Sequence, residues 1–166
     1  YTARTVDGVD LAMWRYRPDP QSPLREGAQP VILMPGMACN FNFFNVHTPE
    51  GAAYATQLPR DPAPWAAGDA YLREDPMRYY SLAYYLWSRG YDVWLVNYRG
   101  QGRGEFRSGG ASGYAIDELG IYDMPAIIAR VREITGRKPV WAGHSMGGVM
   151  SYMYLEGARF ENMADP

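Results

Sequence analysis

The 166-residue sequence predicts an α/β domain, a mostly parallel sheet entered through an antiparallel N-terminal hairpin. Three observations carry that prediction. From Val31 onward, short apolar runs alternate with stretches whose apolar residues recur at helical spacing, the order that builds parallel strands joined by helical crossovers. Before that point, residues 3–6 and 11–17 alternate apolar and polar around Asp7-Gly8, the pattern of a hairpin with a tight turn. Third, Pro139-Val140-Trp141-Ala142 runs into Gly143-His144-Ser145-Met146-Gly147, which reads as a strand turning sharply into a helix with a serine at its apex.

The elements follow in order. A Pro-, Gln- and Ser-containing link, residues 18–30, leaves the hairpin. Val31-Ile32-Leu33-Met34 is a continuous apolar run stopped by Pro35-Gly36, as suits a strand buried on both faces. Residues 77–89 predict one helix with Gly90 as its C-cap, and 91–97 the next strand. A glycine-rich loop, 100–113, leads into a helix over 116–135 that Gly136 ends. Residues 140–142 form the strand before the serine, and 146–155 a very apolar helix after it. Between the first long strand and the first helix, residues 45–77 make an irregular excursion rich in Ala and Pro. It leaves from the strand end where open α/β sheets bind ligands, so two readings stand: a surface insertion, or a flap over substrate or partner.

Composition narrows the function classes. Sixteen basic residues against eighteen acidic ones give no surplus of positive charge for a nucleic-acid partner. No apolar run approaches a membrane span. A lone cysteine, Cys39, excludes an internal disulfide framework, and one Cys with two His cannot build a usual structural zinc site. No metal and no cofactor are expected. The run Gly100-x-Gly102-x-Gly104 misplaces the third glycine of a dinucleotide loop and no helix opens on it, which argues against a nucleotide.

The chemistry centres on Ser145. In a G-x-S-x-G turn, Gly143 and Gly147 must have almost no side chain so that strand and helix can approach, and the serine hydroxyl stands beside the positive end of a helix. A serine is a weak nucleophile and needs a general base. Attack on an ester creates an oxyanion that pre-aimed N–H donors must hold, and the backbone N–H of Met146, next after the nucleophile, is one candidate. His144 adjoins Ser145, but neighbouring residues on such a turn point in different directions, so a structural role is expected of it. His47 lies in the excursion, and Cys39 near the turn after the first long strand; neither is expected to be the base or the nucleophile.

Taken together, these residues resemble the α/β-hydrolase superfamily, and within it the acid lipase branch that includes gastric and lysosomal lipases. The likeness is carried by Ser81-Leu82-Ala83 through Gly90-Tyr91-Asp92-Val93-Trp94-Leu95-Val96-Asn97-Tyr98-Arg99-Gly100, by Tyr122-Asp123-Met124-Pro125-Ala126, and by Thr135-Gly136-Arg137-Lys138 before the serine turn. It runs from Thr5 to Gly157, interrupted by the excursion. The resemblance implies an α/β-hydrolase fold, incomplete in this chain: residues 1–166 as the N-terminal half of one domain. It also implies a second oxyanion donor, the N–H of Met37 after Pro35-Gly36, with Ala38 as the neighbouring possibility. Pro35-Gly36 replaces the branch's usual His-Gly, and Met146 replaces its usual glutamine.

On this fold the triad runs Ser, then Asp or Glu, then His. Asp117 and Asp123 precede Ser145 and read as helix-packing residues, and no histidine follows Ser145 in the sequence. The expectation is therefore a serine carboxylic ester hydrolase working through an acyl-enzyme on Ser145, acting on esters with apolar acyl groups. A companion segment or chain would supply the acid and histidine, a two-chain assembly in the latter case. The alternatives are an acyltransferase of the same fold, in which an alcohol or thiol replaces water, and a non-catalytic binding protein that keeps the fold.

Overall fold

The computed structural model describes residues 1–53, 56–110 and 113–157. Among these described residues five strands form one sheet in the order β1-β2-β4-β3-β5: β1 Thr2–Arg4, β2 Asp10–Arg15, β3 Pro30–Met34, β4 Asp92–Val96 and β5 Val140–Gly143. The first two are antiparallel, and β2 joins β4 antiparallel, while β4, β3 and β5 run parallel to one another. The turn between β1 and β2 is wider than Asp7-Gly8 alone suggests. The pairing stops at Arg4 opposite Asp10, and the Thr5 backbone N–H and Oγ1 both donate to the Val9 carbonyl, closing a broader loop.

Alternation along the parallel strands feeds two apolar layers. Val31, Leu33, Val93 and Leu95 face one side, where they pack with Ala83, Tyr84 and Trp87 of α2 (Leu82–Ser88) and with Leu72 of the short helix α1 (Ala70–Glu74). Ile32, Met34, Trp94 and Val96 face the other side, against Met124, Ile127 and Val131 of α4 (Met124–Thr135) and Met146 and Met150 of α5 (Met146–Leu155). Burying an aliphatic side chain of this size is worth about 1.5–3 kcal/mol. The chain leaves β3 for β4 on one side and returns past β3 to β5 on the other. Crossovers of one hand running in opposite directions put their helices on opposite faces, as α2 and α4 are here.

Three expected elements differ in detail. The single helix over 77–89 is two pieces, a 3-10 stretch Pro76–Tyr80 and α2, because Ser81 breaks out in extended conformation to cap α2: its Oγ accepts the Tyr84 N–H and donates to the Phe44 carbonyl. Gly90, with φ of +91°, lies one residue past the C-cap, Arg89. The helix over 116–135 is continuous but uneven. It passes from α3 (Ile116–Glu118) through a π-helical turn, Leu119–Asp123, into α4. Pro125 has no N–H to give the Ile121 carbonyl, and the wider turn absorbs that loss. The excursion is not wholly irregular, since it contains a 3-10 turn, Pro64–Ala66, and α1, and Asp75 ties it down by accepting from the Thr48 N–H and Oγ1 and the Met77 N–H.

Candidate active site

The parallel strands end on one side of the sheet, and two of those ends meet. Met34, the last residue of β3, pairs with Gly143, the last of β5, and the His144 N–H donates to the Met34 carbonyl at 3.0 Å. Directly after β3, the Cys39 N–H closes a turn onto the Gly36 carbonyl at 3.2 Å. Directly after β5, Ser145 sits between strand and helix with φ 51° and ψ −118°.

Close approach explains the glycines. A Cβ on Gly143 would collide with the Gly147 carbonyl, and one on Gly147 would lie 2.5 Å from the Met34 carbonyl oxygen. Gly36 is constrained too, less tightly: a Cβ there would lie 2.9 Å from His144 Nδ1 and 3.1 Å from Ser145 Cβ. The turn after β3 therefore lies against the serine itself. Trp141 Nε1 donates to the Gly147 carbonyl at 2.8 Å, which holds the first turn of α5 to its own strand.

Among the described residues, the non-glycine positions with positive φ are Ala38, at 59°, and Ser145, at 51°. Both belong to this junction. A left-handed backbone costs an L-residue of this kind on the order of 1–3 kcal/mol, and such strain persists where the surroundings over-determine it. Nothing in the sequence marks the positive φ of Ala38, because alanine has no preference for that region.

Met37 follows Gly36 in the turn after β3, and Met146 takes the first position of α5, directly after Ser145. Among the described residues no backbone carbonyl accepts from either N–H. Met37 is 71% exposed and Phe43 48% exposed, and Phe43 stacks on the ring of His144, the residue before Ser145, with centroids 4.5 Å apart. The Ser145 side chain is open to solvent, and among the described residues it has no hydrogen-bond partner.

The remaining candidates lie elsewhere or are occupied. His144 is exposed and held by its stack on Phe43. His47 Nδ1 pairs with the Asn45 carbonyl at 3.0 Å. Cys39 is half-buried in the turn after β3. Asp123 is fully buried and bonded to Arg99 through both the backbone N–H and the guanidinium, at 2.8 Å each, as a packing role requires. Burial pushes its carboxyl up to about 6, against the pull of Arg99, whose charge is shared with Asp7 and Glu118. The glycine-rich loop is stitched into the fold: Ser108 Oγ accepts the Ala12 N–H and donates to the Asn97 carbonyl. Among the described residues no cluster of His, Cys, Asp or Glu could hold a metal, and no helix is long and apolar enough to cross a membrane.

A mixed sheet flanked by helices on both faces, with a strained serine between strand and helix, defines a class, and comparison with known proteins agrees. The family model described as alpha/beta hydrolase fold matches residues 67–159, and the chain belongs to that family. Within it the likeness is to the acid lipase branch. Human lipase member K is 38% identical over 80 residues, 44% of this chain and 20% of that protein. Human gastric triacylglycerol lipase is 36% identical over a stretch of the same size and coverage. Lipase 1 of Drosophila melanogaster is 39% identical over 150 residues, 86% of this chain and 26% of that protein. The chain thus spans between a fifth and about a quarter of the length of these relatives.

Proposed function

We propose that this chain carries the nucleophile and oxyanion half of a serine ester hydrolase of the lipase and esterase type. The observation that supports it most is the strained Ser145, held at the mouth of β5 with the Gly36 turn pressed against its Cβ. In this reading Ser145 Oγ attacks the ester carbonyl as a general base takes its proton. The new oxyanion accepts from the Met37 and Met146 N–H groups, each donor being worth about 3 kcal/mol in known cases. Collapse of the tetrahedral intermediate expels the alcohol and leaves an acyl group on Ser145, which water then removes. The N-terminus of α5 adds positive potential where the negative charge develops. Exposed Met37 and Phe43 favour an apolar acyl group.

The base and its acid partner are assigned to a companion segment or chain beyond the described residues. Two features support that. Among the described residues β5 pairs with β3 alone, so its outer edge is bare beside the serine. Beside it an apolar groove of about 570 Å³ runs along Met124, Ile128, Trp141, Tyr154 and Leu155. A further strand against β5 would cover both and end next to Ser145. The lipase names of the relatives are consistent with this activity. The test is Ser145→Ala in the full-length protein, assayed on a short-chain aryl ester. Turnover should fall at least about 1,000-fold with the melting temperature unchanged; turnover within tenfold of the native rate would remove Ser145 from the mechanism.

A further inference from the structure

The Tyr98 side chain, two residues past the end of β4, is fully buried, and its hydroxyl donates to the Gly36 carbonyl at 3.1 Å. Apolar packing accounts for its ring, which lies in the layer under α4 and α5 and meets Tyr114 edge-on at 5.6 Å. It does not account for where the hydroxyl goes. Gly36 and Met37 share one planar, trans peptide unit, in which C=O and N–H point in opposite directions. Whatever fixes the Gly36 carbonyl therefore also fixes the Met37 N–H. Two donors fix it: Tyr98 Oη from below and the Cys39 N–H across the turn, at 3.1 and 3.2 Å.

The next residue back gives the same loop a second hold. Asn97 Oδ1 accepts the Phe41 N–H at 2.9 Å while its Nδ2 donates to the Phe106 carbonyl. Tyr98 packs in the layer under α4 and α5, whereas Phe41 and Phe106, the partners of Asn97, belong to the opposite layer. The two residues that follow β4 thus grip the loop after β3 at two points, one on each side of the sheet. The residue after them is immobilised too, since Arg99 is bonded to Asp123 through main chain and side chain. The strained Ala38 lies inside the stretch so held, between Gly36 and Phe41.

From this geometry we infer that Tyr98 is a positioning residue for the oxyanion: its hydroxyl pins the Gly36 carbonyl and so aims the Met37 N–H. It touches neither substrate nor nucleophile. The inference rests on the reading of Ser145 and Met37 given above. Without the hydroxyl, the Gly36–Met37 peptide keeps one restraint and can rotate, so the loss falls on the transition state rather than on substrate binding.

Tyr98→Phe in the full-length protein tests this, because the change keeps the ring and leaves the Gly36 carbonyl its bond from Cys39. The readouts are kcat per active site titrated with a phosphonate, KM on a short-chain aryl ester, and affinity for an alkyl boronic acid that mimics the tetrahedral state. The expected result is kcat per titrated site down about 10- to 100-fold, boronate affinity down in parallel, and KM within about threefold. A kcat per titrated site within twofold of native overturns the inference, even with a lowered melting temperature or fewer titratable sites, since those are what a purely structural tyrosine would give. Should the native protein show no Ser145-dependent turnover, the proposed function fails, and hydrogen exchange still decides the buttress. Exchange at Met37 and Cys39 at least about tenfold faster in Tyr98→Phe upholds it, and unchanged exchange overturns it.

Discussion

Ser145 and Gly36 meet across a gap with no room for another carbon, and this contact sets what single substitutions do. Gly36→Ala places a methyl within 2.9–3.2 Å of His144 and Ser145 atoms, so the turn must lift off the serine. We expect it to cost about 1–3 kcal/mol of stability and to lower ester turnover far more than substrate affinity, as denaturant titration and steady-state kinetics would show. Unchanged kcat would mean the turn takes no part. Gly143, Ser145 and Gly147 were legible in the sequence because their spacing is tied to a backbone geometry. Gly36 showed in the sequence as a strand stop and, through the resemblance, as the residue before the second oxyanion donor, with Ala38 as that donor's alternative. Neither the contact of Gly36 with Ser145, nor the positive φ of Ala38, nor the bond from Tyr98 was legible. Their roles depend on which strand ends the sheet brings together, and no local pattern encodes that.

Asp123 offers a pH test at the same scale. Burial raises its carboxyl from 3.8 to about 6, so the folded state holds a proton there that the unfolded state has released. Its contribution to stability is fully present below about pH 4 and is lost as pH rises through about 6. Asp123→Asn forfeits the pairing with Arg99 but does not titrate. Its stability deficit should therefore shrink between pH 4 and pH 7, read from urea midpoints of native and variant protein. A deficit that grows over that interval would show instead that Arg99 holds Asp123 below its ordinary value.

At the scale of elements, the order of strands and helices was plain from periodicity, and α5 and β3 lie close to where the apolar runs place them. What periodicity missed are the breaks. Ser81 reads as one polar residue on a helix face, yet it is buried and stops one helical stretch to cap the next. Pro125 stands where a helix is expected to continue, and the chain accommodates it by widening the preceding turn rather than stopping. The excursion over 45–77 concealed a short helix because α1, at five residues, is too brief to show a period. Ser81→Ala removes both the cap and the bond to Phe44; a loss of roughly 1–2 kcal/mol is expected in thermal or urea unfolding. A loss below a few tenths would mean the loop after β3 and α2 hold each other by apolar packing alone.

On the whole-molecule scale, the two halves of the surface are unequal. One sheet edge ends in the short hairpin strand β1. The other ends in β5, flanked by an α5 whose Val149, Tyr152, Tyr154 and Leu155 are exposed. Bare edges and apolar helix faces of this kind aggregate unless something covers them. If the proposed companion completes the sheet, residues 1–166 expressed alone should be insoluble or inert, and should recover solubility and turnover when that companion is supplied. Soluble, monomeric protein with Ser145-dependent turnover from residues 1–166 would refute the companion. The central claim, an acyl-enzyme on Ser145, is tested most directly by treating the full-length protein with an alkyl fluorophosphonate and mapping the adduct by mass spectrometry. The account predicts a single adduct on Ser145, with turnover lost in proportion to labelling and no labelling of Ser145→Ala. An adduct on another residue, or full turnover in protein labelled at Ser145, would contradict it.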